Sequence, residues 1–484
     1  MEKLSFRTCL IFNPNLKPNK KKPSDEEKQD AKLLIYYPSC DEIMAKRSNM
    51  GIIEGTIQFN HSFNDMNEKE KSQKYKNKIE FLITELNSTF YFTQKFENKY
   101  YISIIIEKKY KSLNLNENVN HRASIFKEIL TNFYNYFYLF HGTFDDIFFP
   151  NGKDIRDNES LYTNIQTTFS DFITCYFDFI GDFDTNKIYQ SPILDGILYS
   201  ATSAYPNLLF ASLRLYEKYK DIKATSLVYK GFLLHNEIDI EAMSLLYNMF
   251  FNNLNGEDFL NKFRYPNISD EKNKNNEKKY IDGSPFLKAF RKKEDNETNN
   301  YLIGCDLSNK NGVFMPFLHL KNGTKIKYMI YNIKDLYIFL FFDENYEIKG
   351  KDLFAQMASF LDECFTQNLE DLNKVNFEDK IKETKKDFEF VYYNKENKSL
   401  KLSSIFYVKN KNELDKTKIP ILEKIKELIL SKRIKKSVTK FDEKYIYYFE
   451  YFQKNVAIII KEKKSIDEVK VKYLNKLLKT IEYY

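Results

Sequence analysis

The sequence predicts a layered α+β protein of three similar domains, each an antiparallel sheet of about five strands with flanking helices. Three observations predict it. The order hairpin, helix, meander, helix recurs about three times along the chain. The 484 residues correspond to about three domains at roughly 150 residues each. Hydrophobic residues make up 43% and aromatics 16%, enough for several cores. The pattern divides the chain into a first domain at 1–150, a helical linker at 151–215, a second domain at 216–372 and a third at 385–484.

In the first domain, "LSFRTCLIF" (4–12) and "LLIYYP" (33–38) read as strands, the second ended by Pro38. Between them "LKPNKKKPSDEEKQDAK" (16–32) is expected as a disordered charged loop with two prolines. A helix is expected from about Asp41 to Phe63. "KIEFLITEL" (78–86), "TFYFTQKF" (89–96) and "KYYISIIIEKK" (99–109) follow with short polar breaks, the pattern of an antiparallel meander. "RASIFKEILTNFYNYFYLF" (122–140) has helical apolar spacing and stops at Gly142.

The second copy opens with a hairpin at 223–236 turning on Lys230-Gly231, then a helix at 239–250 with Asp239 as N-cap. Strands are expected near 301–307, 313–320, 325–332 and 335–343, and a closing helix at 350–365. The third copy has strands at 388–394, 444–452 and 455–463. Its helices are expected at 420–430, with Pro420 at the start, and after the capping box Ser465-x-x-Glu468.

The composition argues against several function classes. A net charge of +7, from 75 bases and 68 acids, is diluted over a long chain, so a dedicated nucleic-acid binder is not expected. Five scattered cysteines with no Cys-x-x-Cys point to reduced thiols rather than a disulfide or zinc framework. The N-terminus lacks the apolar run of a signal peptide. The longest apolar runs, such as "LYIFLFF" (336–342), fall far below the ~20 residues of a membrane span, so membrane contact is expected to be peripheral. No Gly-x-Gly-x-x-Gly, Walker loop or paired-histidine motif occurs. Asp145 and Asp146 in "HGTFDDIFFP" read as a solvated turn. No catalytic residue, metal or cofactor is expected. One basic cluster, "SKRIKKSVTK" (431–440), offers Lys432, Arg433, Lys435 and Lys436 to an acidic-lipid or phosphoinositide surface, at about 1 kcal/mol per charge; the bland alternative is a solvated loop.

The stretch "NMGIIEGTIQF" (49–59) is the unusual one. Each glycine inside a helix costs up to about 1 kcal/mol relative to alanine. At 3.6 residues per turn, Gly51, Gly55, Gln58 and Ser62 share one slim face. Ile52, Phe59 and Phe63 flank it on one side, and Met50, Ile53 and Ile57 on the other. Apolar groups on two sides suggest two covers: the domain's own sheet, and either a neighbouring element or a second chain.

These residues carry a resemblance. "Tyr36-Tyr37-Pro38" followed by "Asn49-x-Gly51-Ile52-x-Glu54-Gly55-x-Ile57-Gln58-Phe59" resembles the start of the Ccz family, a subunit of the vacuolar fusion complex Mon–Ccz. The family has alanine where Gly55 stands. "Tyr138-Leu139-Phe140-His141-Gly142-Thr143-Phe144" is similar to its Leu-Phe-Asn-Gly-Thr-Phe stretch, with His141 for the usual asparagine. Residues 227–250 are similar to its strand–turn–strand–helix segment, without the family's tryptophan near His235, and 447–465 resemble its final hairpin.

The resemblance implies three longin domains and an obligate heterodimer with the Mon subunit. It implies guanine-nucleotide exchange on a Rab-seven-type GTPase at late endosomes and vacuoles, without covalent chemistry. Asn49, Gly51, Ile52, Glu54, Gly55, Gln58 and Phe59 are then the candidates for the partner or GTPase interface. The alternative is a non-catalytic longin scaffold or Rab effector subunit of the Hermansky–Pudlak type.

Overall fold

The computed structural model describes residues 4–18, 20–68, 81–86, 89–108, 119–180, 196–198, 206–251, 301–303, 315–346, 351–374, 389–394, 396, 398–402, 436–441, 445–452 and 455–462. The helices expected at 420–430 and after Ser465, together with Lys432, Arg433 and Lys435, lie outside them. The chain divides into two compact units, one spanning Met1–Tyr189 with Glu271–Leu287 and one spanning Gln190–Asp270 with Lys288–Tyr484.

The first unit holds β1 (Leu4–Phe12), α1 (Asp25–Lys32), β2 (Leu33–Tyr37), α2 (Ile43–Glu68), β3 (Phe81–Glu85), β4 (Thr89–Phe96), β5 (Tyr100–Lys108), α3 (Val119–His141), α4 (Phe144–Phe148) and α5 (Glu159–Ile180). Its antiparallel strands run in the order β2-β1-β5-β4-β3. Both sheet faces are covered, so the strands are almost continuously apolar rather than alternating. Leu10, Phe12, Tyr91, Tyr101 and Ile105 pack with Met50, Ile53 and Ile57 of α2. On the opposite face Phe92 stacks on Phe126 of α3 and Phe96 on Tyr134.

α5 lines its aromatics against α3: Phe169 stacks on Phe137, and Phe172 and Tyr176 meet Phe133 edge-on. The stretch read as a helical linker (151–215) therefore contributes α5 to the core of the first unit. A second correction concerns 16–32. Residues 25–32 form α1, opened by a capping box in which Ser24 and Glu27 bond each other's backbone N–H groups.

The second unit carries two sheets. One uses β7 (Ile222–Tyr229), β8 (Phe232–Asn236), β9 (Tyr301–Ile303), β10 (Phe317–His319), β11 (Lys325–Ile333) and β12 (Leu336–Asp343). Its order is β10-β11-β12-β7-β8, with β9 also on β11. The β7–β8 turn falls on Lys230 and Gly231, at φ 48° and 79°, the two left-handed positions a type I′ hairpin requires. α6 (Pro206–Lys218) and α8 (Lys351–Lys374) share one core with this sheet. α7 (Ile240–Phe251) sets Phe250 against Phe339 of β12.

The other sheet uses β6 (Ile197–Leu198), β13 (Glu389–Asn394), β14 (Ser399–Leu402), β15 (Lys436–Phe441), β16 (Tyr445–Phe452) and β17 (Asn455–Glu462), in the order β15-β16-β17-β13-β14-β6. In all three sheets the second hairpin strand lies at or next to one edge, the first hairpin strand lies beside it, and the meander returns from last strand to first. The repeat read from the sequence is thus one topology used three times.

Candidate functional site

α2 is set by its inner face. Met50, Ile53 and Ile57 are buried against the sheet, and Ile52 is partly buried against the same core. Asn49 also turns inward: its amide donates to the Tyr36 hydroxyl at 2.8 Å and accepts from the Tyr91 hydroxyl at 3.0 Å. Glu54 is paired with Lys32 of α1 at 2.9 Å, both side chains largely covered. Of the seven residues expected at an interface, Asn49, Ile52 and Glu54 are therefore committed to the domain's own packing.

The other four point outward. Gly51, Gly55 and Gln58 are exposed, and Phe59 is 62% exposed. A Cβ on Gly55 would meet nothing within 4 Å, whereas one on Gly51 would meet the Gln29 Nε2 at 3.3 Å. The same Gln29 amide donates to the Arg47 carbonyl at 2.8 Å. The Arg47 guanidinium reaches Asp30 at 2.6 Å and Glu26 at 3.3 Å. Part of the second cover expected over this helix is thus α1, from the same chain, seated along one flank of the glycine face. Beyond it, Gly55 and Gln58 stand exposed.

One residue of this face was missed in the sequence. Met44, in the first turn of α2, is 70% exposed. Met44, Ser48, Gly51, Gly55 and Phe59 follow one another at spacings of four, three, four and four residues. On a helix rising 1.5 Å per residue they form a stripe about 22 Å long. It has a large apolar side chain at each end, with Ser48 and the two glycines between. The spacing was legible; what hid Met44 was that it precedes the glycines by two turns.

The remaining candidates fall into structural roles. Asp145 accepts from Tyr100 Oη at 2.5 Å and pairs with Lys99 at 2.6 Å. Burial pushes its carboxyl up, and the bonds from Lys99 and Tyr100 outweigh that and hold it below the ordinary range. Asp146 is the third residue of α4, in a capping box with Thr143. The pair expected as a solvated turn is thus a helix cap and a clamp onto β5. Lys436 begins β15, its Cα opposite that of Glu450 of β16; residues 436–440 of the expected basic loop are therefore strand.

Among the described residues, no group of three or more His, Cys, Asp or Glu is arranged to hold a metal ion. No helix among them is long and apolar enough to cross a membrane.

Comparison with curated proteins finds no match. Residues 10–142 match the family model described as the first longin domain of INTU, CCZ1 and HPS4. The span runs from β1 to the start of the α3–α4 turn, so the sheet that carries α2 is a first longin domain of the INTU, CCZ1 and HPS4 type.

Proposed function

We propose that this chain is a subunit of a heterodimeric guanine-nucleotide exchange factor. Its partner is a Mon-type subunit, and its target is a Rab-seven-type GTPase in late-endosome and vacuole fusion. The observation that carries the reading is the open stripe of α2: two exposed apolar side chains separated by a glycine face that admits another backbone closely. It lies in a domain that matches the longin family containing CCZ1.

The activity asks for no reacting side chain. A GTPase holds its nucleotide through Mg²⁺, a phosphate loop and ordered switch segments. A protein that binds the nucleotide-free form more tightly shifts the equilibrium toward release, and each tenfold shift takes about 1.4 kcal/mol of differential affinity. Broad surface contact supplies that. The complex would act peripherally on the membrane, with Lys432, Arg433, Lys435 and Lys436 facing acidic lipids or phosphoinositides.

The test is release of a fluorescent nucleotide from a late-endosomal Rab. The chain together with its Mon-type partner is expected to accelerate it; an unchanged rate with the pair overturns the reading. The same family description names HPS4 and INTU, which supports a second reading, a non-catalytic longin scaffold or Rab effector. Pull-downs separate the two, since an effector retains the GTP-loaded Rab and an exchange factor the empty one.

A further inference from the structure

The third sheet is completed by a strand from outside its own repeat. β6, two residues long, pairs in parallel with β14, Ile197 opposite Ser399 and Leu198 opposite Leu400. The Ile197 N–H donates to the Lys398 carbonyl at 2.8 Å, and the Ile197 side chain is fully buried. The same strand packs against β8 and α7 of the second sheet's layer. Gly196, just ahead of it, is tightly bounded: an added Cβ would lie 2.8 Å from Leu400 Cδ2 and 3.1 Å from Leu400 Cβ, so Leu400 would have to shift. Leu400 is itself buried and cannot swing freely aside.

We propose that Gly196–Leu198 is a clip that couples the second and third domains, so that β14 keeps its edge paired only while this connector is seated. β14 is four residues long, and a short strand with an open edge is the least stable place in a sheet. β6 covers that edge with a minimal ladder, while its buried side chain ties it to the second domain. The two domains thereby share one structural element, and unseating it exposes the β14 edge and withdraws the buried Ile197 side chain.

Hydrogen–deuterium exchange on the full chain tests this. Gly196→Val is expected to accelerate exchange of the β13 and β14 amides at least tenfold while the amides of β11 and β12 keep their rates. Adding Leu400→Ala, which opens room for the new side chain, is expected to recover several-fold of that protection. Should Gly196→Val prove insoluble, Gly196→Ala places only the Cβ against Leu400 and is read at the same amides. Unchanged β14 exchange in a folded variant overturns the proposal. So does an equal acceleration in β1 and β5, because that is general destabilisation rather than release of a clip.

Discussion

The Glu97 carboxylate, on the turn between β4 and β5, accepts the backbone N–H of Phe144 at 2.8 Å, forty-seven residues later in the chain. It also accepts the Tyr134 hydroxyl at 2.7 Å. Burial pushes its carboxyl above the ordinary range, and these bonds work against that. The turn itself places Glu97 and Asn98 at φ 46° and 61°, a type I′ geometry. One side chain thus ties the hairpin tip, α3 and the start of α4 together. Glu97→Ala leaves two donors without their acceptor, at about 1–3 kcal/mol each. A loss of about 2–4 kcal/mol in urea unfolding is expected, and Glu97→Gln, which keeps an oxygen acceptor, is expected to recover part of it.

α1 depends on Arg47. The guanidinium is bonded to Asp30 and paired with Glu26, and the Arg47 carbonyl holds Gln29. These groups are partly exposed, so each ion pair contributes only about 0.2–1 kcal/mol, and global stability is expected to fall by less than about 2 kcal/mol in Arg47→Ala. The local effect is larger. Limited proteolysis is expected to cut the variant between Lys20 and Lys32 at sites the unmodified chain protects; equal cleavage would show that α1 is held without Arg47, by its capping box, the Lys32–Glu54 pair and the bond from Arg156 to the Ala31 carbonyl.

Why the sequence concealed α1 follows from those contacts. Asp25, Glu26, Glu27, Lys28 and Asp30 look like a solvated run because the partners near them in sequence, Lys28 for Asp25 and Lys20 for Glu27, make exposed pairs that a loop could make as well. Arg47, which takes up Glu26 and Asp30, lies outside any window centred on them. The one local signal, Ser24-x-x-Glu27, was present and passed over. The strands were legible for the opposite reason: their apolar runs and turn residues are local properties. In α2 the face was legible but its sides were not. Periodicity placed Gly51, Gly55 and Gln58 together with Phe59 on their flank, yet only the sheet shows that Asn49 bridges Tyr36 and Tyr91 rather than facing a partner.

Glu237 gives the protein an acid-sensitive contact. Burial pushes its carboxyl up, but hydrogen bonds with His235, the Tyr216 hydroxyl and the Thr225 N–H outweigh that and bring it down to about 2. A carboxyl whose folded value lies below its unfolded value stabilises the fold above the unfolded value, and that contribution is lost as pH falls through the folded one. Stability is therefore expected to fall between pH ~5 and pH ~2 more steeply in the unmodified chain than in Glu237→Gln. Parallel acid titrations of the two proteins, followed by circular dichroism, check the difference.

The basic cluster has a separate readout. Neutralising Lys432, Arg433, Lys435 and Lys436 together is expected to weaken binding to vesicles containing acidic lipid, at about 1 kcal/mol per charge removed. Nucleotide exchange measured in solution is expected to stay unchanged. Undiminished vesicle binding by the variant would remove this cluster from the membrane contact.

The two glycines of α2 are now distinguishable, which turns one interface prediction into two. At Gly55 a side chain enters open space. Gly55→Leu is expected to leave the chain folded and to raise its stability by up to about 0.8 kcal/mol through helix propensity. The same side chain stands in the path of a backbone approaching the stripe, so affinity for the Mon-type subunit is expected to drop at least tenfold. At Gly51 the new side chain must displace Gln29, whose bond to the Arg47 carbonyl contributes about 1 kcal/mol. That loss offsets the propensity gain, so Gly51→Leu is expected to be near neutral in stability and also defective in binding. Thermal unfolding of the chain alone and size-exclusion chromatography of the mixed subunits read the two effects separately. A Gly55→Leu chain that is stable and still assembles with full affinity would show that the outer face of α2 is plain surface, and the exchange-factor reading would then need another docking site.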